Sequence, residues 1–205
     1  PSSQPLALGH QTGADYTVRY GVLSLALGSD RLLHCFSLHD CSDYWGSQHY
    51  GASGLVTKWP EYRPKPAFPA YAAMPRLLDL VEYDGFVPTG SLSAYCVGFR
   101  NRNTMLPHQY VYALWTLRGE RPATLTLPVD TVAWLTSPDG NEQPLDTAAG
   151  PPRIVLTPSP QWVATTAPIE SIQLGEPVHP DDLPEDPTLV RTIGNFADGW
   201  RYTAV

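Results

Sequence analysis

The side chains best suited to chemistry crowd one short stretch, residues 36–45, where Phe36, His39, Asp40, Tyr44 and Trp45 stand close together. An imidazole and a carboxylate donate and accept hydrogen bonds, and aromatic faces offer flat apolar surface, so the set suits a polar, uncharged ligand. Each residue also has a plainer use: Phe36 as core, His39 with Asp40 as a turn. Nothing nearby completes a pair of catalytic carboxylates, since Glu61 stands among prolines and Glu82 falls at the far end of an expected helix. His34 lies within an apolar run and reads as a satisfied core histidine. His49 and His108 fall in loops without a partner at ligand spacing, so no metal centre is expected, and no cofactor motif is present. Cys35, Cys41 and Cys96 are too few for a disulfide framework and lack the spacing of a zinc site. Cys35 and Cys41 either pair across a loop or remain thiols.

The elements that must position these residues follow from periodicity. A capping pattern at Thr12 and apolar residues Val18, Val22 and Leu25 predict a helix ending at Gly28, whose missing Cβ permits a left-handed residue after the last turn. Residues 31–38, nearly continuous in apolar character, predict a strand buried on both faces of a parallel sheet. The connection at 40–64 is too long for an ordinary loop, and its aromatic content argues against disorder. A second helix is expected from Pro66 to Leu80, with Pro75 kinking or splitting it near Met74. Beyond Tyr83 the period becomes two, with strands expected at 93–100, 110–118, 122–128, 131–137, 152–157 and 161–165. Turn residues separate them, as in Asn101-Arg102-Asn103, Arg118-Gly119-Glu120 and Pro138-Asp139-Gly140-Asn141. Many short strands at close spacing make an antiparallel sandwich, with Trp115, Trp134 and Trp162 as its core.

Composition bounds the partners. A net charge of −7 without a basic cluster argues against nucleic acid and anionic membrane, and no apolar run is long enough to span a bilayer. The 22 prolines gather in connections at 58–75, 144–160 and 177–187. The sequence opens on Pro1 with no charged-then-apolar leader and closes on strand-like residues, so both termini are read as cuts.

Three segments resemble the C-terminal end of glycoside hydrolases that carry a (β/α)8 catalytic barrel and an appended β-sandwich. The first, "ADYTVRYGVLSLALGSDRLLHCFSLHD", is similar to the seventh barrel helix and eighth strand. The second, "RPKPAFPAYAAMPRLLD", is similar to the opening of the eighth helix. In the sandwich, "YVYALWTLRGERPATLTLP" and "IVLTPSPQWVAT" are similar to the strand pair after the barrel and to the closing strands, where a Ser-Pro precedes an aromatic. The eighth strand of such barrels often carries a tryptophan near its end. Here the strand offers Phe36 and the loop Trp45.

The resemblance implies an α/β plus all-β chain. Residues 1–82 are the last helix, strand and helix of the barrel, 83–175 an antiparallel sandwich packing on those helices, 176–187 an acidic proline-rich linker, and 188–205 the start of a further β-rich module. It implies a retaining glycosidase with two catalytic glutamates upstream of this chain, acting outside the cytoplasm, extracellular or periplasmic, on a poly- or oligosaccharide. Ligands of such barrels gather at the C-terminal ends of the strands, which makes Phe36, His39, Asp40, Tyr44 and Trp45 candidates for the cleft wall. On this reading the sandwich unfolds cooperatively by itself, and residues 1–80 alone aggregate or stay molten. The alternative is a non-catalytic protein whose sandwich binds carbohydrate or a cell-surface partner.

Overall fold

The computed structural model describes residues 9–29, 38–40, 54–117 and 119–178. Residues 31–37 of the expected strand, with Cys35 and His34, lie outside the described residues, as do Cys41, His49 and residues 179–205.

Among the described residues, two helices precede the sheets. Helix α1, His10–Ala26, begins earlier than the Thr12 pattern predicts: Gly9 stands at its N-cap, and no side chain caps it. Thr17 instead donates within the helix to the Gly13 carbonyl at 2.9 Å, and the nearby Asp15 carboxylate accepts from Gln11 at 3.1 Å. The far end meets expectation, with Leu27 as C-cap and Gly28 left-handed at φ 92°. Helix α2, Ala67–Leu78, passes through Pro75 as one element. A proline there removes a single backbone bond, to the carbonyl four residues back, whereas Met74, Leu77 and Leu78 around it are all buried. Packing of that face outweighs the lost bond.

The rest is antiparallel sheet. Strands β1 (Val81–Phe86), β2 (Ala94–Asn101), β3 (Tyr110–Thr116), β4 (Arg121–Thr126), β5 (Ala133–Thr136), β6 (Glu142–Leu145), β7 (Arg153–Leu156), β8 (Gln161–Thr165) and β9 (Ser171–Leu174) form two sheets. One runs β1-β2-β3-β8-β5-β6, and the other β7-β4-β9. The periodicity predicted six of these and missed β1, β6 and β9. All three sit at sheet edges; β1 and β6 are largely exposed, which blurs the alternation, and β9 alternates but is only four residues long. Glu82, expected at a helix end, lies in β1 and pairs with Arg102, while Asp84 lies 4.0 Å from Arg100. These charges and the register shift between Tyr83 and Gly85 guard the edge against pairing with another chain.

The large sheet is covered on both faces. Residues Val97, Phe99, Val111, Ala113, Trp115, Trp162 and Ala164 share one core with Ala14, Val18 and Val22 of α1 and Ala70, Met74 and Leu77 of α2. The alternate positions Ala94, Cys96, Tyr112, Leu114 and Val163 share a second core with Ala123, Leu125, Ile154, Leu156 and Ile172 of the small sheet. The order of layers is therefore helices, six-stranded sheet, three-stranded sheet. Trp115 and Trp162 belong to the helix side rather than to the space between the sheets, which corrects the expectation from strand spacing; Trp134 packs against that same core, partly buried. A period of two places a residue on one of two faces, but cannot say what covers each.

Both cores are tightly specified. Tyr95 stacks on Trp115 with centroids 5.1 Å apart and planes within 5°. Tyr112 crosses Gly98 so closely that a Cβ there would sit 2.9 Å from its ring. The Tyr112 hydroxyl accepts the Ile169 N–H at 3.0 Å, and burial pushes its pKa up to about 12. Burial likewise pushes the Cys96 thiol up, so this residue is an inert part of the core.

Because α1 and α2 cover the tryptophan face, residues 84–175 expressed alone should bind a hydrophobic dye and self-associate, contrary to an autonomous sandwich. Sedimentation and dye fluorescence against the full chain check this. Trp162→Ala in the full chain should lower stability by about 3–5 kcal/mol in denaturant titration.

Candidate functional site

The stretch singled out by side-chain chemistry ends on a small ladder. Leu38 offers its carbonyl to the N–H groups of Leu55 (2.9 Å) and Val56 (3.0 Å), and the Asp40 N–H donates to the Val56 carbonyl at 3.0 Å. His39 and Val56 form a parallel bridge, and Val56 and Pro64 an antiparallel one, so residues 54–57 lie between 38–40 and 63–65. Gly54 permits the approach, since a Cβ there would fall 2.4 Å from the His39 carbonyl carbon.

Asp40 and Lys65 hold this ladder together. The Asp40 Oδ1 accepts from the Lys65 ammonium at 2.5 Å and from the Gly54 N–H at 3.0 Å. The Lys65 side chain is only 5% exposed and that of Asp40 14%. A buried ammonium needs a counter-charge, so the pair ties the end of the 31–38 segment to the Lys-Pro-Ala start of α2. Asp40 is thereby a support for the loop.

Beyond the ladder, residues 57–63 fold back as a hairpin, with Thr57 donating to the Arg63 carbonyl and receiving the Arg63 N–H, both at 2.8 Å. Its tip carries Trp59, 73% exposed, and Tyr62, about half exposed. Tyr62 is left-handed at φ 46°, and its ring meets that of His39 edge-on at 5.7 Å. His39 is exposed, with Nδ1 3.0 Å from the Asp40 carbonyl oxygen. The structure thus places His39 and Asp40 together. Phe36, Tyr44 and Trp45 lie outside the described residues. Trp59, Tyr62 and Lys65 were not among the sequence candidates; the signal for Trp59 was an indole flanked by Lys58, Pro60 and Glu61, a setting too polar to bury it.

A second join links segments that stood out separately in the sequence. Arg19, from the Val-Arg-Tyr of α1, donates to the Pro158 carbonyl and, at 3.3 Å, to that of Thr116. Gln11 donates to the Ser159 hydroxyl at 3.1 Å. The Ser-Pro loop before β8 is therefore docked on α1.

No protein-family model matches the chain, and no curated protein matches it. Among solved structures, it is similar to a family 39 glycoside hydrolase from the gut symbiont Bacteroides cellulosilyticus WH2, with TM-score 0.55 and 20% identity, over 74% of this chain and 29% of that one. The chain shares its fold with part of a glycoside hydrolase. It spans less than a third of that neighbour's length. Strands β1 to β9 occupy under half of the chain, so the likeness extends beyond the sandwich. No group of three or more metal-binding side chains is found among the described residues, and no described helix is long and apolar enough to cross a membrane.

His108, read as a loop residue without a metal partner, is buried, and its Nε2 has no hydrogen-bond partner among the described residues. Burial lowers its pKa, with Glu142 opposing and Arg76 reinforcing the shift. The unfolded chain then binds a proton more readily, so the stability from neutral His108 is complete above about pH 6.5 and declines as pH falls toward the lower folded value. His108→Gln should flatten the fall in Tm between pH 7 and 5.

For the buried pair, Asp40→Ala should cost about 3–5 kcal/mol by removing a counter-charge from the buried Lys65 ammonium, and Asp40→Ala with Lys65→Met should recover much of it. Denaturant titration of the single and double variants measures the difference.

Proposed function

We propose that the chain is the C-terminal portion of a retaining glycoside hydrolase acting on a poly- or oligosaccharide outside the cytoplasm. In this reading α1 and α2 are the seventh and eighth helices of a (β/α)8 barrel, residues 31–38 are its eighth strand, and the two catalytic glutamates lie upstream. Residues 1–82 close the barrel and 83–175 buttress it. Residues 176–187 link to a further β-rich module beginning near 188. The observation that carries the proposal is the likeness of 74% of this chain, more than the sandwich alone, to part of a family 39 glycoside hydrolase.

The chain's own contribution is a wall of the substrate cleft. Strand ends and the loops after them gather on one face of a barrel. Phe36, Tyr44 and Trp45 supply aromatic surface there, His39 a hydrogen-bonding ring, and Asp40 the anchor that holds the loop by its bond to Lys65. A neutral sugar suits a chain of net charge −7 without a basic cluster.

The test is the full-length gene. Upstream sequence should carry two strand ends in glutamate. The purified full-length protein should hydrolyse an aryl glycoside with retention of configuration, and replacing either glutamate by glutamine should slow it by roughly 10²–10⁴-fold. Trp45→Ala should raise KM for a polysaccharide while leaving the fold intact. An upstream region without such glutamates would leave a carbohydrate-binding protein and overturn the enzyme reading.

A further inference from the structure

We propose that the tip of the 57–63 hairpin is a sugar-stacking subsite, with the Trp59 indole as the platform and Tyr62 beside it. The nature of the ligand rests on the glycoside hydrolase reading; the site itself rests on geometry. Trp59 is 73% exposed, an unusual state for the largest apolar side chain. A single exposed aromatic means little, but three further observations converge on this one.

The first is backbone strain. Tyr62 holds φ 46°, a conformation that glycine adopts readily and a bulky aromatic residue rarely does. Such outliers persist only where the surroundings impose them, and they concentrate at ligand sites. The second is rigidity. The hairpin stands on the Thr57 and Arg63 rungs and on the buried Lys65–Asp40 pair, so its backbone is pinned at the base before any ligand arrives. The third is the company the rings keep. His39 touches Tyr62 edge-on, and Glu61 lies 3.6 Å from Arg63 at the exposed tip. These groups offer donors and acceptors around an apolar face, which is the surface a pyranose presents in reverse, with C–H bonds on its faces and hydroxyls on its rim.

Size argues against a protein partner. Two aromatic rings flanked by Lys58, Glu61 and Arg63 fall far short of the roughly 1,200 Å² that a stable protein interface buries. Opposite charges at the tip also disfavour a strongly charged ligand. A neutral sugar ring fits both constraints. The hairpin stands beside residues 38–40, where the chain leaves the 31–38 segment, so in the proposed enzyme it borders the substrate face.

Affinity electrophoresis of the 205-residue chain through gels containing arabinoxylan, xyloglucan, galactomannan or arabinogalactan tests the subsite directly. At least one polysaccharide should retard the chain. Trp59→Ala should weaken that retardation about tenfold in Kd, and Trp59→Phe should restore most of it. Tyr62→Gly removes a ring and relieves the backbone, so it should weaken binding without lowering Tm. Equal mobility of the unaltered chain in all gels, or an unchanged Kd for Trp59→Ala, overturns the subsite. In the full-length protein the two readings separate. Aryl-glycoside hydrolysis with a polysaccharide KM unmoved by Trp59→Ala defeats the subsite and leaves the enzyme, whereas binding lost in Trp59→Ala without any hydrolysis defeats the enzyme and leaves the subsite.

Discussion

The central strands β2, β3 and β8 are apolar on both faces, and that single fact governs the rest of the molecule. An antiparallel sheet commonly keeps one face wet. Here Trp115, Trp162, Phe99 and Val97 point one way, and Cys96, Tyr112, Leu114 and Val163 the other, so each face demands a cover. The small sheet β7-β4-β9 supplies one, and the α1/α2 pair supplies the other. Neither cover is optional, because leaving one core open would expose large aromatic side chains to water. The hydrogen bonds from Arg19 and Gln11 to the loop before β8 then set the position of α1 on the sheet by geometry more than by strength.

This arrangement gives the 57–63 hairpin a firm base. Helix α2 is pinned to the sheet through Met74 and Leu77, and the residue two positions before its first turn is Lys65, whose buried ammonium grips Asp40. The ladder of 38–40, 54–57 and 63–65 is thus fixed at one end to the hydrophobic core and presents its hairpin at the other. Binding residues belong on such loops, since a scaffold can be rigid while the surface it carries varies. Asp40 shows how a residue type suited to ligand contact can be drawn into structural service. Once a lysine is buried beside it, the carboxylate is needed as a counter-charge.

Shared fold and shared activity are separate matters. A likeness at 20% identity speaks to the packing of layers, and chemistry depends on side chains placed at particular positions. In the proposed subsite those side chains are Trp59 and Tyr62, with His39 beside them and the Asp40–Lys65 pair beneath.

Periodicity was enough to mark α1, α2 and six of the strands, β7 at a sheet edge among them, because each alternates or repeats apolar residues against a partner it must meet. Composition alone argued against a basic nucleic-acid surface. Strands β1 and β6 were hidden because they are largely exposed, and β9 because it spans only four residues. That α2 runs through Pro75 without splitting was hidden, because a local rule about proline carries no knowledge of the packing around it. Residue types marked His39 and Asp40, yet not their uses. Only the tertiary structure decided that Trp115 and Trp162 face helices, that Asp40 answers Lys65 across the chain, and that Trp59 stands exposed on a pinned hairpin. Burial and charge pairing arise between segments distant in sequence, and no local pattern encodes which segment will arrive.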